Sequence, residues 1–298
     1  MNPKHIILTL LLMLCPIGMA AQSTITRNKP KPAVTKPKPA AKPKAKPKPA
    51  PRRNSTHHSS STSSTTGLSV ELNKLINNMV YVSGGTFTMG GTSEQGSDTE
   101  SDEKPTHSVT LSSYYICKYE VTQALWRVVM GSNPSNFKGD NLPVESVSWN
   151  DCQTFINRLN SYTGRNFRLP TEAEWEFAAR GGNYSRHYKY SGSNYISDVA
   201  WYGDNSGDRT HPVGTKQANE LGLYDMSGNV WEWCSDWYGS YSSYSQTDPI
   251  GPNNGSNRMD RGGCWGNFAK RCRPAYRSYG TPGYRDHGRG LRLVLSQL

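Results

Sequence analysis

The spacing of apolar residues changes several times between residues 79 and 181, which predicts a mixture of short strands and short helices. Apolar residues in Met79–Val82 and again in 86–89, separated by two glycines, predict two strands about a glycine turn. From residue 109 to residue 121 apolar and polar positions alternate. This alternation predicts a further half-buried strand.

Helical spacing follows each of three capping residues. Thr122 is predicted to cap a helix over Gln123–Met130. Ser148 and Thr171 each have an acidic residue three positions later, which is the spacing of a capping box, and apolar residues at helical intervals follow both. After residue 182 the chain is rich in Gly, Tyr, Asn and Ser, so we expect loops and short strands. The pattern alone therefore predicts an α+β domain of irregular type.

The N-terminal residues have a different composition from the rest. Lys4, an apolar run over 6–14 and small residues after it form the pattern of a signal peptide, assigned to 1–21. Residues 22–66 are rich in Lys, Pro and Ala and then in Ser and Thr, too polar to fold, and are predicted to be a disordered linker. This leaves one domain, 67–298. We expect a protein that is secreted to the periplasm or the cell surface on a flexible stalk.

The formal net charge of +11 belongs to the N-terminal tail. Residues 1–66 hold 12 of the 34 Lys and Arg and none of the 23 Asp and Glu, so residues 67–298 carry 22 basic and 23 acidic residues. A nucleic-acid partner is therefore not expected. The basic stalk is expected to act as a solubilising spacer or to contact an anionic envelope surface. The acidic run at 94–103 is predicted to be a solvated loop.

Four motifs carry a resemblance to a known family. They are Arg-Leu-Pro-Thr-Glu-Ala-Glu-Trp-Glu at 168–176, Gly-Asn-Val-Trp-Glu-Trp at 228–233, Arg-Gly-Gly-Cys-Trp-Gly-Asn at 261–267 and Cys-Arg-Pro-Ala-Tyr-Arg at 272–277. With these motifs the chain resembles the sulfatase-modifying-factor, or formylglycine-generating enzyme, family from about residue 79 to residue 293. The resemblance implies a C-type-lectin-like fold, with few helices around small antiparallel sheets and much irregular structure.

The resemblance also implies a catalytic chemistry, for which one thiol is missing. The family's oxidases hold copper(I) between two cysteine thiolates and, with oxygen, convert a sulfatase cysteine to formylglycine. Counting from Arg261 places this pair at Asn267 and Cys272, while Cys264 stands where the family usually has serine. If the domain is an oxidase, its catalytic residues are Cys272 and Cys264 and its cofactor is copper. Because Asn267 replaces a thiolate, we expect a domain that is not an enzyme.

A structural calcium site is implied by the same resemblance. The matching positions are Asp225, Gly228, Val230 and Glu232, and carboxylate and carbonyl oxygens are the ligands that calcium prefers. The alternative is that Asp225 and Glu232 only accept backbone N–H bonds in a tight turn.

The C-terminal segment 265–289 has the composition of a recognition surface, because aromatic residues and arginine alternate there with small, flexible ones. It also resembles the variable region of lectin-fold proteins diversified by retroelements, in which mutated asparagine codons yield residues such as those at 268, 278, 279, 283, 284, 286, 287 and 288. The candidate ligand-binding residues are Trp265, Asn267, Phe268, Arg271, Tyr276, Tyr279, Tyr284, Asp286 and His287, and the segment also holds Arg273, Arg277, Arg285 and Arg289.

These features predict a ligand-binding protein whose partner is a protein or a glycan. One alternative is a copper-dependent oxidase that acts on a sulfatase cysteine. A second alternative is a structural component of the cell envelope.

Overall fold

The computed structural model describes residues 60–296, with side chains from residue 66 onward, and all of them lie in one compact unit, Thr56–Leu298. The predicted signal peptide and most of the predicted linker lie outside the described residues. Helix α1, Ser60–Asn77, begins before the predicted domain boundary at residue 67. None of the described helices is both long enough and apolar enough to cross a membrane.

Short helices and short strands alternate through residues 60–296. After α1 come helices α2 (Gln123–Met130), α3 (Trp149–Thr163), α4 (Glu172–Ala179) and α5 (Ile196–Val199). The strands are β1 (Met79–Val82), β2 (Gly85–Met89), β3 (His107–Leu111), β4 (Tyr114–Cys117), β5 (Trp231–Trp237), β6 (Gln246–Thr247), β7 (Arg258–Arg261), β8 (Ser278–Gly280), β9 (Arg289–Gly290) and β10 (Val294–Leu295).

The three predicted helix starts are confirmed. Thr122 caps α2, accepting the Leu125 N–H at 3.3 Å. Ser148 and Thr171 open α3 and α4 with complete capping boxes, in which the side chain and the backbone of the cap are both bonded. Such caps satisfy N–H groups that a helix start leaves unpaired, and each contributes about 1 kcal/mol.

The strands form three small sheets, ordered β1-β4-β10, β2-β3-β6 and β8-β7-β5-β9. The predicted single strand over residues 109–121 is wrong, because the chain forms β3 and β4 in different sheets. Asp248 fixes the break: its carboxylate accepts the Ser112 N–H and the Ser112 hydroxyl, both at 2.7 Å. Consequently the buried positions change from odd-numbered residues on β3 to even-numbered ones on β4, where Tyr114 and Ile116 are buried.

Two apolar clusters form the core. In the first, α2 packs on α3, and the rings of Trp126 and Phe155 stack with their centroids 4.8 Å apart. The fully buried Trp233 of β5 belongs to the same cluster. In the second, Trp175 and Phe177 of α4 pack against the strands. Burial of each such ring removes a large apolar area from water, and each Å² of that area stabilises the fold by roughly 25 cal/mol. The two clusters thereby hold β5 and β7, which carry the C-terminal segment.

The acidic run at 94–103 is not a solvated loop. It forms two 3₁₀ turns, and the Glu103 carboxylate is fully buried against the equally buried Arg273, with Nη2 to Oε1 at 2.6 Å. Glu94 pairs with Arg180 at 2.7 Å. A buried guanidinium needs a carboxylate partner, so the C-terminal segment draws this loop inward.

Candidate functional site

The C-terminal segment leaves the four-stranded sheet through two glycines. Gly262 and Gly263 follow β7 with φ of 99° and 78°, a left-handed conformation that favours glycine. A Cβ at Gly263 would lie 2.7 Å from Cys272 Sγ, so only glycine lets the chain pass the loop that follows. The loop 264–277 therefore folds back tightly over the end of the sheet.

Buried arginines fix this loop from below. Arg261 and Arg277 both bind Glu172 of α4, with Arg261 Nη1 and Arg277 Nε 3.0 and 2.7 Å from Oε1, and Arg261 also binds Glu176. Burial alone would raise the pKa of Glu172, but the charges of Arg277 and Arg261 hold it below its ordinary value. Arg273 and Arg277 are thus structural, and the prediction that they belong to the recognition surface is corrected.

Exposed aromatic and basic side chains project from this loop and from residues 279–287, which follow it. Phe268 is 75% exposed, and Tyr279 and Tyr284 are 48% and 47% exposed. Tyr279 packs against Tyr238 with the ring centroids 4.2 Å apart and the rings tilted, and Tyr284 lies against the Arg289 guanidinium at 4.7 Å. We call the five exposed candidate residues, together with Trp265 and Tyr276, the C-terminal surface; the five are Phe268, Arg271, Tyr279, Tyr284 and His287.

The other four candidate residues are half-buried and contact other residues of the domain. Trp265 donates its indole N–H to the His287 carbonyl at 2.8 Å. Asn267 Oδ1 accepts the Cys264 N–H at 3.0 Å, which closes a turn. Asp286 pairs with Arg289 and accepts the Gly288 N–H. Tyr276 lies 6.0 Å from the Trp231 ring. Asn267 and Asp286 therefore shape the surface, while Trp265 and Tyr276 are half-buried within it.

Two further rings belong to this surface and escaped the sequence analysis. Phe137 meets Trp265 edge to face at 5.5 Å, and Tyr238 supports Tyr279. Phe137 lies far from the C-terminal segment in sequence, and no spacing pattern connects them. Only the folded chain identifies such neighbours.

The two candidate catalytic thiols are buried. Cys272 has no exposed area, and burial, with the nearby Cys264 thiol, raises its pKa above its ordinary value. Burial also raises the pKa of Cys264 to about 11. Copper(I) in this family is held between two thiolates, but here one of the two positions is Asn267, whose amide is a poor copper(I) ligand. The residues present therefore do not fit a copper centre.

The predicted calcium ligands fit a calcium ion only in part. Asp225 is buried with a left-handed φ of 59°, and its Oδ1 has no partner among the described residues. Glu232 differs, because Arg292 and the Trp175 indole N–H occupy both of its oxygens at 2.6 to 3.1 Å. Three N–H donors, from Arg292 Nε, Arg292 Nη2 and Trp175 Nε1, make four contacts to this carboxylate and leave little room for a metal ion beside it. Asp225 thus suits a metal ligand and Glu232 does not.

Glu120 is a buried carboxylate beside this turn that the sequence analysis missed. It accepts the Val230 N–H at 3.1 Å and the Asn229 amide at 2.6 Å. Burial, followed by the charges of Asp225 and Glu232, raises its pKa well above its ordinary value. Within residues 60–296 no three His, Cys, Asp or Glu side chains converge on a metal-sized point. A calcium ion here would depend on backbone carbonyls for its remaining ligands.

Comparison with known proteins agrees with this architecture. A model of the sulfatase-modifying factor enzyme 1-like domain matches residues 66–297. The chaperone protein LppX of Paenibacillus barcinonensis is 36% identical over 271 residues, covering 74% of this chain and 90% of that protein. The formylglycine-generating enzyme of Streptomyces coelicolor is 36% identical over 192 residues, covering 58% of this chain and 59% of that enzyme.

Two solved structures share the fold over most of their length. Treponema denticola variable protein 1 superposes with a TM-score of 0.66 at 34% identity, covering 73% of this chain and 94% of that one. PvdO from Pseudomonas aeruginosa superposes with a TM-score of 0.64 at 27% identity, covering 72% and 93%. The chain therefore belongs to the sulfatase-modifying factor enzyme 1-like domain family, and its fold is C-type-lectin-like.

Proposed function

We propose that this protein is exported and binds a protein or glycan ligand through its C-terminal surface, without catalysing a reaction. One observation carries the proposal: exposed aromatic and arginine side chains cluster on the loop 264–277 and on residues 279–287 after it, and buried Arg–Glu pairs hold that loop in place. The predicted signal peptide and basic stalk support export to the periplasm or the cell surface.

Rigid rings on a fixed loop are well suited to binding. Ligand binding normally loses free energy to the ordering of loops and side chains, at about 0.5–1.5 kcal/mol per flexible side chain. Phe and Tyr have two side-chain torsions each, and Tyr238 and Arg289 already position Tyr279 and Tyr284. Ligand binding therefore loses little free energy to the ordering of these side chains.

Sequence diversification at this surface is part of the proposal. Of the eight positions at which mutated asparagine codons are expected, residues 268, 279, 283, 284 and 287 are exposed. Positions 278 and 286 are half-buried, and position 288 is buried. Similarity to Treponema denticola variable protein 1 supports this idea. Exposed positions tolerate substitution with little change in stability, so variation there would alter recognition and preserve the fold.

The oxidase alternative has weaker support, although similarity to formylglycine-generating enzymes favours it. Asn267 stands in place of one thiol, and Cys272 is buried as a protonated thiol.

We further propose a structural calcium ion at the turn 225–232, bound by Asp225 Oδ1 and the carbonyls of Gly228 and Val230. Asp225 Oδ1, which is buried and has no hydrogen-bond partner within the described residues, supports this assignment.

Binding is tested with a panel of purified extracellular proteins and glycans. The surface variant combines Phe268→Ala, Tyr279→Ala and Tyr284→Ala. Its matched control removes three equally exposed tyrosines elsewhere, at positions 81, 162 and 244, which are 54%, 51% and 79% exposed. We expect at least one ligand that binds the wild type and the control, and binds the surface variant at least about tenfold more weakly. Equal binding to all three proteins would contradict the proposal.

A further inference from the structure

A second concave site lies away from the C-terminal surface, between two loops at 184–195 and 217–220. It encloses about 720 Å³, which is in the size range of small-molecule pockets. We call it the tyrosine groove; its walls include Tyr184, Tyr188, Tyr195, Asn194, Gln217 and Glu220. It shares no lining residue with the C-terminal surface or with the turn around Asp225.

The floor of the tyrosine groove is held rigidly. Asn219 is 7% exposed, and its amide donates to the Ala178 carbonyl at 2.8 Å and the Ser191 hydroxyl at 3.1 Å, which ties one loop to the end of α4. Gly192 adopts a φ of 97°, and a Cβ there would lie 2.9 Å from the Ala218 carbonyl oxygen. The two loops therefore contact each other closely, and the groove is preformed.

Two tyrosine rings stand open to solvent in this groove. Tyr184 is 68% exposed and Tyr195 is 74% exposed. Neither ring packs on another aromatic ring or beneath a cation within residues 60–296. An exposed aromatic ring beside a cavity offers a flat apolar face with a polar edge. A ligand with both an apolar face and hydroxyl groups is complementary to such a ring.

Hydrogen-bonding groups around the groove are mostly uncharged. The Gln217 side chain makes no hydrogen bond within the described residues, so its amide is free to donate and accept. Arg186 and Glu220 contribute opposite charges, and the Glu220 carboxylate accepts the Arg186 backbone N–H at 3.3 Å. The groove has no net formal charge. It is therefore not suited to a phosphorylated ligand, which needs converging cations.

From these features we propose that the tyrosine groove binds a neutral oligosaccharide. A sugar ring combines an apolar C–H face, which packs on tyrosine, with hydroxyl groups that bond to amide and carboxylate groups. A protein partner would need about 800 Å² of contact on each side, which calls for a broad surface, not a pocket. Because the site shares no residue with the C-terminal surface, this proposal stands independently of the proposed function.

The test is calorimetric titration of the full chain with short, uncharged oligosaccharides of glucose, mannose, galactose and N-acetylglucosamine. We expect at least one series to bind, and Tyr184→Ala and Tyr195→Ala each to weaken that binding about tenfold. Tyr244→Ala removes an equally exposed ring outside the groove and is expected to leave affinity unchanged. Phe268→Ala, on the C-terminal surface, serves as a second control.

Thermal melting of each variant shows whether it is folded. Because Gln217 is exposed, Gln217→Ala is expected to keep the melting temperature of the wild type and to weaken oligosaccharide binding. The proposal is overturned if none of the oligosaccharides binds at about 10 mM, a very weak limit. It is also overturned if both tyrosine variants bind like the wild type, or if Phe268→Ala alone abolishes binding.

Discussion

Two arginines two positions apart, Arg271 and Arg273, are expected to differ strongly in how much stability is lost when each is replaced by alanine. Arg273 is fully buried and binds both oxygens of Glu103, at 3.0 and 2.6 Å. It also donates to Gln95, Asp98 and Lys270. Arg271 is exposed, and its side chain makes no hydrogen bond within the described residues.

Arg273→Ala leaves the Glu103 carboxylate buried without a cation, which costs about 3–5 kcal/mol. A typical domain is stable by about 5–15 kcal/mol, so this single change removes a large part of the total. For a domain of this size 1 kcal/mol corresponds to about 2–4 °C, and the melting temperature should fall by about 6–20 °C. Arg271→Ala is expected to change stability by no more than about 0.5 kcal/mol.

The assay is thermal and urea unfolding of both variants, with circular dichroism as the signal that monitors unfolding. A third variant replaces both charges, Arg273→Met with Glu103→Leu, and should be more stable than Arg273→Ala alone because no buried charge is left unpaired. Similar melting temperatures for Arg271→Ala and Arg273→Ala would refute the assignment of Arg273 to a buried ion pair. So would a double variant less stable than the single one.

Three further predictions concern chemistry, metal and pH. The purified protein is expected to leave a Cys-x-Pro-x-Arg peptide unmodified with copper and oxygen, and detection of formylglycine by mass spectrometry would show that Asn267 does not block catalysis. Chelation of calcium is expected to lower the melting temperature, because an ion bound only to the folded state stabilises that state. Asp225→Asn should remove this effect. An unchanged melting temperature of the wild type with chelator would show that the turn binds no metal. Burial and the nearby Glu172 charge raise the pKa of Asp236 to about 7 from 3.8, so the folded state retains a proton that the unfolded chain releases. Stability should therefore fall as pH rises between those values, by up to about 1.4 kcal/mol per pH unit, and urea titrations should show a weaker fall for Asp236→Asn; equal pH dependence would contradict this.

Local sequence patterns predicted three of the five described helices, α2, α3 and α4, because the caps that start them lie within a few residues, whereas α1 and α5 were not predicted. Thr122, Ser148 and Thr171 each cap the helix expected after them. Alternation was a poorer guide for residues 109–121. There the break between β3 and β4 depends on Asp248, which is distant in sequence and supplies the carboxylate that turns the chain.

Buried charges explain most of what the sequence analysis missed at the site. Arg273 and Glu103 each resemble surface residues by type, and only their meeting in the fold makes burial of both tolerable. Glu232 is likewise a buried charge whose partner only the fold identifies. Its bonds to Arg292 and Trp175 conflict with the role of calcium ligand that the family match implied. Exposed rings such as Phe268 and Tyr284 were found from composition, because recognition surfaces have a distinctive mixture of residues.

The central claim, that the C-terminal surface binds a ligand through exposed side chains, is tested most directly by measuring affinity and melting temperature together. Phe268→Ala, Tyr284→Ala and His287→Ala are compared as single variants, using the ligand recovered from the panel. The account predicts that at least one of them weakens binding by tenfold or more while all three melt within about 2 °C of the wild type. Severe unfolding of these variants, or unchanged affinity in all three, would contradict it.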